Sequence, residues 1–465
     1  MNQLYAHHFG PDFMFGVSSS AFQTEGAHAE HGKGPSIWDE FTQKGRAIQN
    51  RHHARVATGF YQRYEEDLNW IAEAGIEHFR FSTSWPRVLP NGYGQINQKG
   101  LDYYDRLVDS CLVRGIAPWI TLYHWDLPHA LELKGGWTNR STVFYFLEYA
   151  QVMAERLGDR VKHWMVLNEP LAFTGAGYFL GIHAPGKRGM RRFLPALHHA
   201  CLAQAQGIAL MQTWVRQANV GTTFSFSPVE AHQQGLRHSK AEHQLDALLN
   251  RLFLEPLLGI GYPVQDLPFL ENMEPHIKAG DEQALKAQAD FIGVQVYTRE
   301  IVKPCWWMPY VQAKVVSGKK RGQPIDAMGW EIHPEALAKI CRKLRQYPNL
   351  PPLVITENGL ACKETPQSGR VHDPARIGYY QQSLAHLRQA MAEGTKVNGF
   401  FAWSLTDNFE WAKGYEPRFG LIHVDFDTLE RTPKDSFFWY QRFLAAQPSG
   451  SAGASKASSA SGLGR

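Results

Sequence analysis

No apolar run in this sequence is long enough to span a bilayer as a helix, so a helical membrane protein is excluded and no membrane partner is expected. The first residues, Met1-Asn2-Gln3-Leu4-Tyr5-Ala6-His7-His8, lack a basic segment leading into an apolar core, and no secretory signal is expected. Cysteine is sparse: Cys111, Cys201, Cys305, Cys341 and Cys362 show no CxxC pairing and no regular spacing. An odd, scattered set argues against a disulfide framework and for a reducing, cytoplasmic compartment. A strong charge of either sign is also missing. The 48 Lys and Arg against 44 Asp and Glu leave +4, and no Lys/Arg block stands out, so a nucleic-acid partner has no electrostatic support. The 21 histidines contain no HExxH. The pairs His7-His8, His52-His53 and His198-His199 are adjacent, and neighbouring side chains diverge. Neither a metal nor a cofactor is expected. There is no internal repeat, and oligomeric state has no sequence signal.

What is present is ordinary globular composition, 465 residues with 44% hydrophobic and 20% charged, enough for a large core. The 14 Trp, 18 Tyr and 26 Phe fit either that core or stacking surfaces for the apolar faces of sugar rings. Strand-like and helix-like patterns alternate. Strands are predicted at 13–17, 78–82, 118–122, 164–167, 220–226, 291–297, 353–356 and 399–403. Between them lie one-face helix patterns such as Tyr61, Tyr64, Leu68, Ile71, closed by Gly75, and Leu101, Tyr104, Leu107, Val108, Cys111, closed by Gly115. Eight βα units predict an α/β fold, a (β/α)₈ barrel of the TIM type, within a single domain at 1–446. The surplus length is expected in loops after strands one, four, six and eight. The Ser/Ala/Gly-rich stretch 447–465 reads as a disordered tail.

Two of the strands share a construction. Val166-Leu167-Asn168-Glu169-Pro170 and Val354-Ile355-Thr356-Glu357-Asn358-Gly359 each run apolar residues into a glutamate, then a chain-breaking residue. Two carboxyl groups at one pocket are the minimum equipment for cleaving a glycosidic bond, one as acid and one as nucleophile or base. The other strand ends are equally polar. Gln23 follows strand one, Arg80 lies on strand two, and strand three runs into His124-Trp125-Asp126. Tyr297 closes strand six; Trp403 closes strand eight, with Glu410-Trp411 just beyond. Hydrogen-bonding groups for hydroxyls beside indoles for C–H faces make a sugar pocket.

These segments carry a resemblance. Phe15-Gly16-Val17-Ser18-Ser19-Ser20-Ala21-Phe22-Gln23-Thr24-Glu25-Gly26, Tyr123-His124-Trp125-Asp126-Leu127-Pro128, Leu167-Asn168-Glu169-Pro170, Ile355-Thr356-Glu357-Asn358-Gly359 and Asp407-Asn408-Phe409-Glu410-Trp411-Ala412-Lys413-Gly414-Tyr415 occur in that order. From about Phe13 to Phe443 the chain resembles family 1 glycoside hydrolases, the β-glucosidase family. The resemblance implies a retaining mechanism with Glu169 as acid/base and Glu357 as nucleophile, their carboxyl groups roughly 5 Å apart. It implies that Arg80 and Tyr297 lower the pKa of Glu357, while the charge of Glu357 raises that of Glu169. Asn168 would bind the sugar 2-hydroxyl. Gln23, His124, Trp125, Glu410 and Trp411 would hold the rest of the sugar over Trp403, and Trp330 would flank the leaving group.

A carboxylate at 410 would repel phosphate, which argues against a 6-phosphosugar. Glu169 argues against the thioglucosidase branch, which has Gln there. The chain departs from the family where Gln295-Val296-Tyr297 replaces an Asn-Tyr-Tyr run, and where His52-His53-Ala54-Arg55-Val56 replaces an acidic run; the second is expected to be a changed outer loop. Trp306-Trp307-Met308-Pro309-Tyr310 could line the aglycone site or merely cap the barrel. The expected activity is an exo-acting β-glucosidase on small β-glycosides or short cellulose-derived oligosaccharides. The alternatives are a β-galactosidase, β-fucosidase or transglycosylase on the same site, or a carbohydrate-binding barrel without catalysis.

Overall fold

The computed structural model describes residues 4–445; the expected tail at 447–465 lies outside the described residues. Eight strands close into a parallel barrel: β1 (Met14–Ser18), β2 (His78–Ser82), β3 (Ala117–Tyr123), β4 (His163–Asn168), β5 (Asn219–Ser225), β6 (Phe291–Gln295), β7 (Leu353–Asn358) and β8 (Val397–Trp403). Each strand pairs with its neighbours in sequence, and β8 pairs with β1 to close the ring. This is the (β/α)₈ barrel read from the alternation. Strand ends differ by a residue or two. β6 stops at Gln295, leaving Tyr297 beyond it, whereas Glu357 and Asn358 lie inside β7. The longest connection, residues 226–290, follows β5. The expectation had left out surplus after β5; after β8, where it was expected, residues 404–434 run before the helix Asp435–Ala445.

The helix Phe60–Glu73 buries Phe60, Tyr61, Leu68 and Ile71, and the helix Gln98–Val113 buries Leu101, Tyr104, Leu107, Val108 and Cys111. Gly75 and Gly115 close these helices at φ +67° and +72°, a left-handed turn that glycine enters without steric cost. Parallel strands covered by helices outside and filled inside are buried on both faces, as all residues of β6 and β7 are.

Inside the barrel, side chains stack in layers because every second residue of a strand points inward. The lower layer is apolar: Trp119, Met165, Phe291, Val354 and Phe401 pack together. The Trp119 indole lies flat on His163, centroids 4.0 Å apart. Gly16 matters here by its size. A β-carbon on it would sit 2.5 Å from the Phe401 ring, so glycine lets that ring reach β1. Two residues further along the strands the layer turns polar. Arg80 Nε donates to Thr121 Oγ1 (3.1 Å), and the hydroxyls of Thr223 and Thr356 meet at 2.5 Å.

Above this layer the regular alternation breaks in two places. Between Met165 and Asn168, β4 spends three residues where β5 spends two, Gly221 to Thr223. Between Ile355 and Glu357, β7 spends two where β6 spends one, Val294 to Gln295. An extra residue of this kind is a β-bulge, which re-aims the side chains that follow. Asn168 thereby faces inward although it is an odd number of residues beyond Met165. Glu357 likewise joins Thr356 on the inner side. Both glutamate-bearing strands thus carry their irregularity just before the carboxylate.

The fully buried Phe401 ring fills the lower layer. Phe401→Ala should cost about 3–5 kcal/mol in urea unfolding, and Phe438→Ala, on an exposed ring, no more than about 0.5 kcal/mol. Equal losses from the two would contradict a packed barrel interior.

Candidate active site

The strand ends enclose a cavity of about 460 Å³. Gln23, His124, Trp125, Asn168, Glu169, Tyr297, Trp330, Glu357, Trp403, Glu410 and Trp411 all line it. Arg80 does not. It is fully buried in the polar layer beneath, reaching up with Nη1 to Glu357 Oε1 (2.5 Å) and with Nη2 to Asn168 Oδ1 (2.6 Å). The Tyr297 hydroxyl donates to Glu357 Oε2 (2.7 Å). Both oxygens of Glu357 therefore meet a strong donor.

Glu169 has a different setting. Its φ of +45° is left-handed, uncommon for a side chain other than glycine, and Pro170 behind it disfavours a right-handed helical turn. The conformation is held by its N–H, which donates to the Thr223 carbonyl (2.9 Å), and by its own carbonyl, which accepts from the Ala172 N–H (2.8 Å). Trp125 and Trp411 also sit at positive φ, +78° and +51°. Residues held this way cluster where surrounding structure over-determines the backbone.

The charge state follows from burial and partners. Burial first, and the charge of Glu357 second, push Glu169 up to about 8; Ser225 and Arg80 pull the other way. Burial also raises Glu357, with Arg80 and Tyr297 opposing it. Arg80 and Tyr297 act in the expected, lowering direction, and desolvation outweighs them. What the partners do is set the order within the pair. Glu357, with a guanidinium on one oxygen and a phenol on the other, is the member that ionises first, and its charge keeps the proton on Glu169. The third carboxyl, Glu410, is pushed up to about 8 by burial, then by Glu357 and Glu169. Of the cations near the pocket, Arg80 is already engaged by Glu357 and Asn168, whereas Lys413 lines the cavity with no carboxylate partner among the described residues.

The remaining polar groups are tied together. Asn168 Oδ1 also accepts from Gln295 Nε2 (2.9 Å), and Asn168 Nδ2 lies 3.1 Å from His124 Nε2. Burial keeps His124 neutral, so a bond from the Asn168 amide places the ring proton on Nδ1, where no protein acceptor meets it. Gln23 Nε2 donates to Asn408 Oδ1 and the Phe409 carbonyl, both at 3.0 Å, and faces Glu410 Oε2 at 3.4 Å. The indoles of Trp125 and Trp411 pack at 4.4 Å, and Trp125 Nε1 donates to the Asn168 carbonyl (2.9 Å). Gly359 has no positive φ; its role is close approach, since a β-carbon there would lie 2.1 Å from the Trp403 carbonyl oxygen.

A sequence profile described as "Glycosyl hydrolase family 1" matches residues 5–448. The chain belongs to glycosyl hydrolase family 1. Among its relatives in this family, beta-glucosidase A of Thermotoga maritima is 40% identical over 94% of this chain and 97% of its own. The bifunctional beta-D-glucosidase/beta-D-fucosidase of Bifidobacterium breve is 39% identical over 94% and 98%. The structure of the Thermotoga maritima beta-glucosidase in complex with glucoimidazole superposes with a TM-score of 0.89, at 37% identity over 95% of this chain and 98% of that one.

Within this family-1 barrel, some pocket residues escaped the sequence reading. Ser225 closes β5 and lines the cavity; the rule applied to the other strand ends finds it. His183 also lines the cavity, packed against Trp38 and Trp125 at 5.3 and 5.7 Å. It lies well beyond any strand end, and no periodicity marks it. Ile182, Met328, Lys413 and Phe419 were missed for the same reason. Gln295 supports Asn168 directly, and Val296 is core. The His52–Val56 segment packs on the loop after β8, His52 Nδ1 accepting from the Tyr415 N–H (3.1 Å). Trp306 and Trp307 are not among the lining residues. No group of three or more His, Cys, Asp or Glu among the described residues is placed to hold a metal ion.

Tyr297→Phe removes a donor that favours ionised Glu357. The pKa of Glu357 should then rise, and the acid limb of kcat/KM on an aryl β-glycoside should move to higher pH. The loss in kcat/KM should be about 10- to 100-fold, the worth of a charge-assisted hydrogen bond. An unmoved acid limb would separate Tyr297 from the charge of Glu357.

Proposed function

We propose that this chain is an exo-acting, retaining β-glucosidase working by double displacement. The observation that carries the reading is the asymmetry of the two central carboxyl groups. Glu357 has Arg80 and Tyr297 on its oxygens, while Glu169 is buried and held protonated.

In the first step the Glu169 proton passes to the glycosidic oxygen as that bond to the anomeric carbon breaks. A Glu357 oxygen bonds to the same carbon from the opposite face, giving a glycosyl ester and a free alcohol. Esterification removes the negative charge of Glu357. The second-largest cause of the raised Glu169 pKa goes with it, so Glu169 in its carboxylate form can take a proton from water. That water attacks the anomeric carbon, and the ester bond breaks back to carboxylate. One residue serves as acid and then base because its neighbour's charge disappears between the steps. Arg80 also orients Asn168, whose amide would bond the sugar 2-hydroxyl more strongly at the oxocarbenium-like transition state.

Exo action is supported by the inner wall, where the almost fully buried Gln23 and His124 leave no path for a continuing chain. The Thermotoga maritima relative supports glucose as the sugar, and cellobiose-like, aryl and alkyl glucosides are the substrates proposed. The Bifidobacterium breve relative supports a second sugar, fucose. A protonated Glu410 can donate as well as accept, so it can meet a 4-hydroxyl in either orientation. The five cysteines, none bridged, fit work in the cytoplasm.

The test uses leaving groups of different acidity. Glu169→Gln should lower turnover of an alkyl glucoside by about 10²–10⁴-fold, yet form the glycosyl ester readily from a dinitrophenyl glucoside, whose leaving group needs no proton. Wild-type activity on the alkyl glucoside should fall as pH rises through about 8, where Glu169 loses its proton. The same loss on both substrates would contradict the acid role, and absence of β-glucoside hydrolysis by wild type would overturn the reading.

A further inference from the structure

Two loops on the pocket side of the barrel carry an unusual charge pattern. Residues 172–192 follow β4 and residues 301–325 follow β6, so both rise from the strand ends that frame the pocket. Together they hold nine of the chain's 48 Lys and Arg and none of its 44 Asp and Glu. The near-neutral total had concealed this; Lys187-Arg188-Gly189-Met190-Arg191-Arg192 alone has four cations in six residues. Lys187 and Arg321 pair with Glu132 and Glu331. Arg188, Arg191, Arg192, Lys303, Lys319 and Lys320 are exposed and have no carboxylate partner among the described residues.

The same loops expose apolar side chains. Trp306 is 87% exposed and Trp307 57%, at the tip of the hairpin formed by Glu300–Pro304 and Ala313–Val315; Leu180 and Ile182 are 51% and 54% exposed. The loops touch, with the Tyr310 ring 5.8 Å from that of Phe179. Ile182 lines the pocket, so the patch is continuous with its mouth.

We propose that this face docks on an anionic lipid bilayer. Exposed Trp, Leu and Ile beside unpaired Lys and Arg is the composition of an interfacial membrane contact: the apolar groups enter the headgroup boundary and the cations meet anionic headgroups. A glycan fits less well. Leu180 and Ile182 have nothing to bond to hydroxyls, and one face of Trp307 is covered by Lys314, its Nζ 5.2 Å from the ring centre. A second copy of the chain docked face to face would set six exposed, unpartnered cations against six. No helix among the described residues is long and apolar enough to cross a membrane. The absence of a spanning segment, on which the expectation of no membrane partner rested, has no bearing on docking at a surface. The inference does not depend on the proposed sugar chemistry.

The test is sedimentation of the full chain with vesicles of phosphatidylcholine alone and of phosphatidylcholine with phosphatidylglycerol, at low and high salt. The protein should follow the phosphatidylglycerol vesicles at low salt and leave them at high salt. Trp306→Ser with Trp307→Ser, and separately Arg191→Glu with Arg192→Glu, should each weaken binding about tenfold or more. The second pair lies in the first turn of the helix Met190–Trp214, where acidic residues are favourable, so folding is spared. Circular dichroism and turnover of a soluble aryl glucoside should match wild type for both. No binding at low salt, equal binding to both vesicles, or binding that survives both double substitutions would overturn the proposal. So would retention on an acidic polysaccharide or self-association, lost in the variants, without vesicle binding.

Discussion

Three carboxyl groups, Glu169, Glu357 and Glu410, share one pocket, and among the described residues Arg80 is the only fully buried cation beside it, acting on Glu357 and Glu169. Burial makes three simultaneous negative charges untenable, and one guanidinium can compensate about one of them. Where Arg80 points therefore decides where the charge sits. It points at Glu357, 2.5 Å away, and the other two carboxyls are pushed to about 8. The division of labour between proton carrier and nucleophile is a consequence of that placement. The two glutamates themselves occupy nearly equivalent strand ends.

The barrel delivers this arrangement through its layers. The apolar layer of Trp119, Met165, Phe291, Val354 and Phe401 fills the lower interior and leaves only the polar layer beneath the pocket floor. Arg80 stands in that layer, braced by Thr121 and by the Thr356 carbonyl. A strictly alternating strand could not then present Thr356 and Glu357 on one side, nor Asn168 three residues beyond Met165. The bulges in β4 and β7 resolve this, and they let Arg80 bond Glu357 and Asn168 at once.

Much of this was legible in the sequence. Fold class follows from alternating periodicities, and ten of the named lining residues follow from asking what closes each strand; Trp330 was supplied only by the family resemblance. Ser225 was within reach of the same question. The bulges were not, because a one-residue register shift depends on the neighbouring strand and leaves no mark on local hydrophobic pattern. His183 was invisible because its loop returns to the pocket only through tertiary packing against Trp38 and Trp125. Sequence names the two groups that lower the Glu357 pKa but not desolvation, the larger effect in a closed cavity. The cationic loops were hidden by a chain-wide charge average, and it takes a tertiary contact, Tyr310 against Phe179, to join them into one face.

The central claim is that Glu357, by virtue of Arg80, is the ionised carboxyl and hence the atom that bonds to sugar. The most direct measurement is to trap the glycosyl-enzyme with a 2-deoxy-2-fluoro-β-glucoside bearing a dinitrophenyl leaving group and map the label by peptide mass spectrometry. One fluoroglucosyl group should be found, on the peptide carrying Glu357, and Arg80→Met should slow its formation. Label on Glu169 or Glu410, or labelling at an unchanged rate without Arg80, would contradict the account.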